Sequence, residues 1–322
     1  MNTPKITVLM PVYNGEPYLK EAIESILNQT FQDFEFLIIN DGSTDKSLEV
    51  IRSFNDARIK IIENPQNLGL IATLNIGIKN STGEYIARMD QDDIALPQRL
   101  EKQYKFMEEH PEIGVSGSSM QIIDEERIMK AFTEHKQLKF ISLFDSPLCH
   151  PSVIIRKSVL EEHNIFYDEK FKHCEDYELW ARLLWITELA NLPEVLMLYR
   201  KHANSITSVY NENQFQNANI VRREQFNRFG LNPTSEEFEM HINLLKHQNL
   251  LKDCELKKLL NWVMKIYDLK ICDEDYMAKI LGSKLPFFFK RCEDLSRETL
   301  KIYEKSPFYR ILENPEFKIK FI

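Results

Sequence analysis

The 322-residue sequence contains no C-x-x-C pair. Its cysteines, Cys149, Cys174, Cys254, Cys272 and Cys292, are scattered and odd in number. That argues against a structural zinc site and fits a reduced cytosol. No apolar run is long enough to span a bilayer. Met1–Lys5 leads straight into a strand-like segment with no secretory leader, so a cytoplasmic chain is expected. Positive charge is not in excess: 41 Lys and Arg stand against 49 Asp and Glu, a net charge of -8. Binding a nucleic-acid backbone needs concentrated Lys and Arg, so nucleic acid is excluded as the main partner. A phosphate-bearing ligand is not, because a bound cation can reverse the local sign. No G-x-G-x-x-G follows the first strand, against a nicotinamide dehydrogenase. The same turn, Pro11-Val12-Tyr13-Asn14-Gly15, lacks the Gly-rich, Arg-bearing loop that a sugar-nucleotide pyrophosphorylase needs for a triphosphate. There are no repeats and no low-complexity tract.

What is present is an ordinary globular composition, 43% hydrophobic and 28% charged. The length suits a catalytic domain over residues 1–210 and a helical region over residues 211–322. Ile6–Val12 is almost wholly apolar, as a buried parallel strand requires. Leu19, Ala22, Ile23, Ile26 and Leu27 mark one helical face. Residues 34–39 read as a second strand, closed by Asn40-Asp41-Gly42-Ser43-Thr44-Asp45, with a helix through Phe54. Residues 59–62 read as a third strand, 70–79 as a helix and 85–89 as a fourth strand, ending at Asp90-Gln91-Asp92-Asp93. Pro97 opens the next helix, to about His110. Further, less regular strands fall in 114–132, a strand and helix start in 149–160, and an amphipathic helix in 175–185. This order predicts a mostly parallel α/β sheet with helices on both faces. Ligands of such sheets lie beyond the carboxyl ends of the strands, where Asn14, Asp41 and Asp90–Asp93 all fall.

Three carboxylates at a strand end repel one another unless a cation shares them. Oxygen ligands suit Mg²⁺ or Mn²⁺, both of which also bind diphosphates. Asp92 is the expected ligand, with Asp93 suited to capping the following helix. Asp41 can accept the imide N–H of a uracil; an Asp-Gly pair is also a simple turn former. Glu175 and Asp176 open an amphipathic helix. Either can take the proton of a sugar hydroxyl, or merely stabilise the helix dipole. In Tyr199-Arg200-Lys201-His202 the basic residues can hold a diphosphate, and His202 can add a nitrogen ligand to the metal. His150, beside Pro151, is a further candidate for substrate contact.

Together these motifs resemble the bacterial family-2 glycosyltransferases of the GT-A fold. The matching pieces are Pro11-Val12-Tyr13-Asn14, Asn40-Asp41-Gly42-Ser43-Thr44-Asp45, Asn67-Leu68-Gly69, Asn75-Ile76-Gly77, Asp90-Gln91-Asp92-Asp93 and Glu175-Asp176, spread over residues 5–210. Residues 199–210, with Ile206-Thr207-Ser208-Val209, look most like lipooligosaccharide β-1,3-N-acetylhexosaminyl and galactosyl transferases. The resemblance implies that Asp41 and the backbone near Pro11, Val12 and Tyr13 contact uracil, and that Asp90 faces the ribose or metal. It implies Asp92 and His202 as metal contacts and Asp176 as catalytic base. Gln91 replaces the small residue most relatives carry inside the D-x-D. No Q-x-x-R-W follows the Glu-Asp helix, as it does in membrane-embedded processive synthases. The expected activity is therefore transfer of one sugar, with inversion, from a UDP-sugar to a glycan or lipid-linked oligosaccharide. A degenerate domain that only binds glycan or a partner is the non-enzymatic alternative, against which the retained Asp41, Asp92 and Asp176 argue.

Past residue 210 the pattern is helical, with Leu244, Leu251, Leu256, Leu259 and Leu260 at packing positions. Leu285-Pro286-Phe287-Phe288-Phe289-Lys290-Arg291 and the closing Phe317-Lys318-Ile319-Lys320-Phe321-Ile322 set aromatics beside basic residues. They suit either a helical core or peripheral contact with anionic lipid at the inner membrane.

Overall fold

The computed structural model describes residues 3–202, 211–246, 251–292 and 294–309. The chain divides into two compact units, Met1–Val221 and Arg222–Ile322.

The first unit is built on one sheet. β1 (Ile6–Val12) lies between β2 (Phe34–Asn40) and β4 (Tyr85–Arg88), parallel to both, and β3 (Ile59–Glu63) extends β2 in parallel. Every residue of β1, β2 and β4 is buried, because helices cover both faces. Alternation sorts their side chains. Ile6, Val8, Met10 and Val12 pack with α1 (Glu16–Leu27) and α4 (Arg99–Glu109) through Leu19, Ala22, Ile23, Ile26, Leu100 and Met107. Leu9, Leu37 and Ile39 face the opposite layer, α3 (Leu70–Asn80) and α7 (Glu175–Leu183), through Ile71, Leu74, Leu179, Trp180 and Leu183. Gly77 of the Asn75-Ile76-Gly77 motif belongs to this contact. A Cβ there would lie 2.2 Å from Leu9 Cδ1, so the glycine lets α3 seat on β1. α2 (Ser47–Arg52) follows β2, and its Ile51 joins the first layer.

Beyond β4 the sheet becomes mixed. Its order is β3-β2-β1-β4-β8-β6-β9-β5, with β7 (Ile128–Met129) paired to β6. β8 (Ile154–Arg156) runs antiparallel to both β4 and β6 (Ile113–Ile122). β9 (Glu188–Tyr199) runs parallel to β6, and the two-residue β5 (Ile94–Ala95) is antiparallel to β9. α5 (His135–Ile141) and α6 (Lys157–Glu162) complete this half.

Several elements differ from the sequence-based expectation, among them β9, β5 and the start of α4. β9 was not foreseen, because Pro193 interrupts it and a proline cannot donate to a ladder. The sheet accommodates Pro193 and Glu194 in an irregularity, where Ser118 pairs with Leu192 and the next residue, Ser119, pairs with Val195. α4 starts at Arg99 with Gln98 as its N-cap, after the unforeseen β5. Asp93 lies too far upstream to cap it, which corrects that expectation.

α8 (Asn211–Arg228) begins in the first unit, where Ala218 and Val221 pack on Cys174, Tyr177 and Ala181. The second unit is helical: α9 (Ser235–Lys246), α10 (Asp253–Tyr267), α11 (Glu274–Lys284), α12 (Pro286–Phe289) and α13 (Arg297–Glu304). Leu244, Leu256, Leu259, Trp262, Val263, Leu281, Leu285 and Phe288 are buried. Leu285 and Phe288 are thus core residues, while Phe317–Ile322 falls outside the described residues. No described helix is long and apolar enough to cross a membrane.

Candidate active site

The carboxyl ends of β1, β2 and β4 form the site. At β1, side chains satisfy the backbone donors one after another. Tyr13 N–H donates to Gln91 Oε1 (2.9 Å), Asn14 N–H to Ser43 Oγ (3.0 Å), Gly15 N–H to Ser47 Oγ (2.8 Å) and Glu16 N–H to Asp45 Oδ2 (3.1 Å). Asn14, in the left-handed region at φ 49, returns the contact by accepting Thr44 N–H at 2.8 Å. Glu16 Oε2 accepts Lys46 N–H at 3.2 Å. These bonds lock Asn14 and Glu16 to the Ser43-Thr44-Asp45-Lys46 run. They also close α1 as a phosphate cradle, since its first amides already have partners. Charge on a diphosphate must be met elsewhere in the crevice.

Asp41 is only 3% exposed and holds the next loop. Its Oδ1 accepts Asn64 Nδ2 (2.7 Å) and Leu68 N–H (2.9 Å), and its Oδ2 accepts Gly69 N–H (2.9 Å). An ionised carboxylate has about four acceptor positions, so roughly one is left for a ligand. Asp41 is therefore first the anchor of the Asn67-Leu68-Gly69 loop.

The acidic turn after β4 gives each residue a different partner. Asp90 forms an ion pair with the buried Arg88. Burial outweighs that pull and holds Asp90 above the usual carboxylate range. Gln91 binds Tyr13. Asp92 Oδ2 lies 2.7 Å from His202 Nε2, a pair 110 residues apart in sequence. Asp93 is 1% exposed; its Oδ1 accepts Arg200 N–H at 2.9 Å, and its buried Oδ2 has no hydrogen-bond partner among the described residues. Burial, then repulsion from Asp90 and Asp92, pushes Asp93 well above the ordinary value.

The Asp92–His202 pair offers one oxygen and one nitrogen donor, a set that fits Mn²⁺ or Mg²⁺ completed by phosphate oxygens and water. Among the described residues no group of three or more His, Cys, Asp or Glu forms a self-sufficient cage. The ion would thus depend on the nucleotide for part of its shell.

Arg200, one of the basic residues that can hold a diphosphate, is engaged by protein groups. Its Nε donates to Asp92 O (2.9 Å), its Nη2 binds Glu21 Oε2 (2.6 Å), and its guanidinium sits 4.6 Å from the Tyr18 ring centroid. The His202 ring also lies beside Tyr18, at 5.2 Å. Arg200 ties the end of β9 to the acidic turn and so presents His202 to Asp92. Lys201 makes an exposed pair with Glu125 at 3.4 Å, a weak contact that an incoming anion can replace. Losing such a support around a metal ligand costs about 10- to 100-fold in metal affinity. Arg200→Ala is expected to weaken Mn²⁺ binding by that amount, read by electron paramagnetic resonance of free Mn²⁺. Unchanged binding would remove Arg200 from this role.

On α7, Glu175 is buried and raised to about 7, by burial and then by its neighbour Asp176. Asp176 is partly exposed and raised to about 6, chiefly by burial. Its nearest described side-chain partner is Ser146 Oγ, at a long 3.5 Å from Oδ2. Asp176 is thus the more accessible acid, held near neutrality. His150 Nε2 pairs with Tyr167 OH at 2.8 Å, with Trp180 at its ring edge. Burial and Arg88 keep its imidazole neutral.

Arg88 links these groups. Its charge lowers Asp93, Glu175, Asp176 and Tyr167 and repels a proton from His150, besides pairing Asp90. Sequence reasoning passed over Arg88 and Tyr167. The signal for Arg88 was there: one charged residue in the otherwise apolar run 85–89 needs a buried counter-charge.

Residues 7–164 match the family model described as Glycosyl transferase family 2. A Haemophilus influenzae protein named "Uncharacterized glycosyltransferase" is 37% identical over 322 residues, spanning 94% of this chain and 97% of its own length. The amylovoran biosynthesis glycosyltransferase AmsE of Erwinia amylovora is 33% identical over 208 residues, 62% of this chain and 77% of its own. The solved structure of S. aureus TarS 1-349 in complex with UDP-GlcNAc superposes with a TM-score of 0.61 at 19% identity, covering 96% of this chain and 90% of that one. At that identity the likeness speaks to the fold alone.

Proposed function

The chain belongs to glycosyl transferase family 2, and from that premise we propose that it moves one hexose or N-acetylhexosamine from a UDP-sugar to a glycan hydroxyl, inverting the anomeric carbon. The observation that carries this reading is the meeting of Asp92 and His202, at the strand ends of a sheet whose α7 layer carries Asp176, a carboxyl raised to about 6. The donor class is supported by the UDP-GlcNAc complex of TarS. A glycan acceptor is supported by the similarity to AmsE, a glycosyltransferase of amylovoran biosynthesis. A β-1,3 linkage rests on the sequence resemblance of residues 199–210, of which 203–210 lie outside the described residues. A lipid-linked acceptor would bring the enzyme to the cytoplasmic face of the inner membrane.

Asp92 and His202 would hold Mn²⁺ or Mg²⁺, which when bound neutralises the charge developing on the leaving diphosphate. Asp41, with its remaining acceptor position, and the backbone at Pro11 and Val12 would seat the uracil. Tyr13 would offer its ring, since its N–H and C=O are both engaged by Gln91. Asp90, paired to Arg88, would orient the ribose. Asp176 takes the proton of the acceptor hydroxyl as it attacks opposite the leaving group, and Glu175 and His150 shape the acceptor side. Displacement on that face inverts configuration, as in inverting glycosidases with an alcohol in place of water.

The test is UDP release from UDP-GalNAc, UDP-Gal, UDP-GlcNAc and UDP-Glc, with GDP-linked mannose as a control, with Mn²⁺ or chelator, and with or without a galactose-terminated acceptor. Acceptor-stimulated, metal-dependent release from one uridine donor is expected. Release only from the guanosine donor would overturn the donor assignment, and no release by folded protein would overturn the enzymatic reading.

The pH dependence follows from the base. Asp176 works ionised and its carboxyl titrates at about 6. kcat/KM is therefore expected to fall about tenfold per unit as pH drops below that value. An acidic limb near pH 4, the range of an unburied aspartate, would argue against Asp176 as the base.

A further inference from the structure

Gln91 stands between Asp90 and Asp92, yet its side chain binds the opposite wall of the crevice. Its Oε1 accepts Tyr13 N–H at 2.9 Å and its Nε2 donates to Tyr13 O at 3.1 Å. The amide thus closes both backbone groups of one residue, as a neighbouring strand would. Gly15 packs on the same side chain. A Cβ there would lie 2.5 Å from Gln91 Oε1 and 2.6 Å from its Cδ. The Gly15 backbone, at φ -99, is open to any residue, so a side chain there would be met by Gln91 and would have to displace its amide. The Tyr13 ring beyond this staple is 43% exposed, a large apolar surface on the crevice.

We propose that Gln91 is a positioning residue for the nucleotide. It joins the Tyr13 wall to the turn that bears Asp92, so both are preset before the donor arrives. The inference rests on the nucleotide-sugar reading above. Without the amide, Tyr13 N–H and C=O turn to water, and the loop must be ordered again at each binding event, a cost that falls on affinity. The chemistry at Asp176 does not pass through Gln91.

Gln91→Ala is expected to weaken UDP binding and raise donor KM by about tenfold, the loss of two ordinary hydrogen bonds. kcat should change by less than about threefold, the mark of lost ground-state binding. Amide exchange at Tyr13 should quicken in the same variant. Gly15→Ala alone should lower both melting temperature and UDP affinity, and adding Gln91→Ala should recover part of the loss by removing the clash. Unchanged Tyr13 exchange, unchanged UDP affinity in Gln91→Ala, or a harmless Gly15→Ala would each overturn the proposal. A parent protein that binds no UDP would overturn the donor reading and this consequence with it. A UDP-binding parent beside an unaltered Gln91→Ala would overturn the present inference alone.

Discussion

Asp176→Asn is expected to lower transfer by about 10³-fold, within the usual range for loss of a general base, while UDP and Mn²⁺ binding stay within about threefold of the parent. The amide keeps the shape of the side chain and its place beside Ser146, but it cannot take a proton. Single-turnover rates measured alongside calorimetric UDP binding separate the two effects. Loss of UDP binding in a folded Asp176→Asn would count against the base assignment. The same substitution carries a stability signature of definite sign. Burial raises Asp176 from 3.8 to about 6, so the folded state holds this proton more tightly than the unfolded chain. The contribution is fully present below the unfolded value and lost as pH rises through about 6. Above that, the ionised carboxylate is a standing penalty, and Asn removes it. The variant should therefore melt higher than the parent at pH 8, with the difference gone near pH 3.5. A variant that melts lower at pH 8 would show that the carboxylate has a stabilising partner in the fold. Such a site gives up stability for a base matched to neutral pH.

Asp92→Asn is expected to abolish metal stimulation and to reduce transfer to the level of chelator-treated parent, a loss of about 10²- to 10⁴-fold. The size follows from how little else is available. The described residues hold no group of three or more acids and imidazoles, and the amides at the start of α1 already have partners. With the carboxylate gone, His202 alone would have to recruit the ion. UDP affinity in Asp92→Asn should match that of the parent without metal, and His202→Ala should fall between the two. An Asp92→Asn enzyme still stimulated by Mn²⁺ would remove Asp92 from the metal role.

The strands and helices of residues 6–88 were legible because each apolar run or helical face reports a covered surface. Ile6–Val12 and Phe34–Asn40 have to be buried on both sides, and only a layered α/β sheet does that. The polar clusters at their ends located the crevice. The C-terminal half of the sheet was harder. Pro193 hides β9, and the tolerance for it lies in the β6–β9 register, which no local pattern carries.

The sequence by itself determined the layered α/β architecture, the family and the positions of the acidic turn and of the Glu175-Asp176 helix start. These rest on residues close together in the chain. Only the tertiary structure decided how the charged side chains divide their work. Arg200 binds Glu21 and the acidic turn, Asp93 accepts the Arg200 amide in place of capping α4, and Asp41 first holds its own loop. Gln91 proved to be a bond to Tyr13, and Arg88 the buried charge that the surrounding acids share. The reason is physical: a charged or amide side chain takes whichever partner the fold brings within about 3 Å. Those partners come from β9, α1 and the β1 loop, separations that composition and periodicity do not encode.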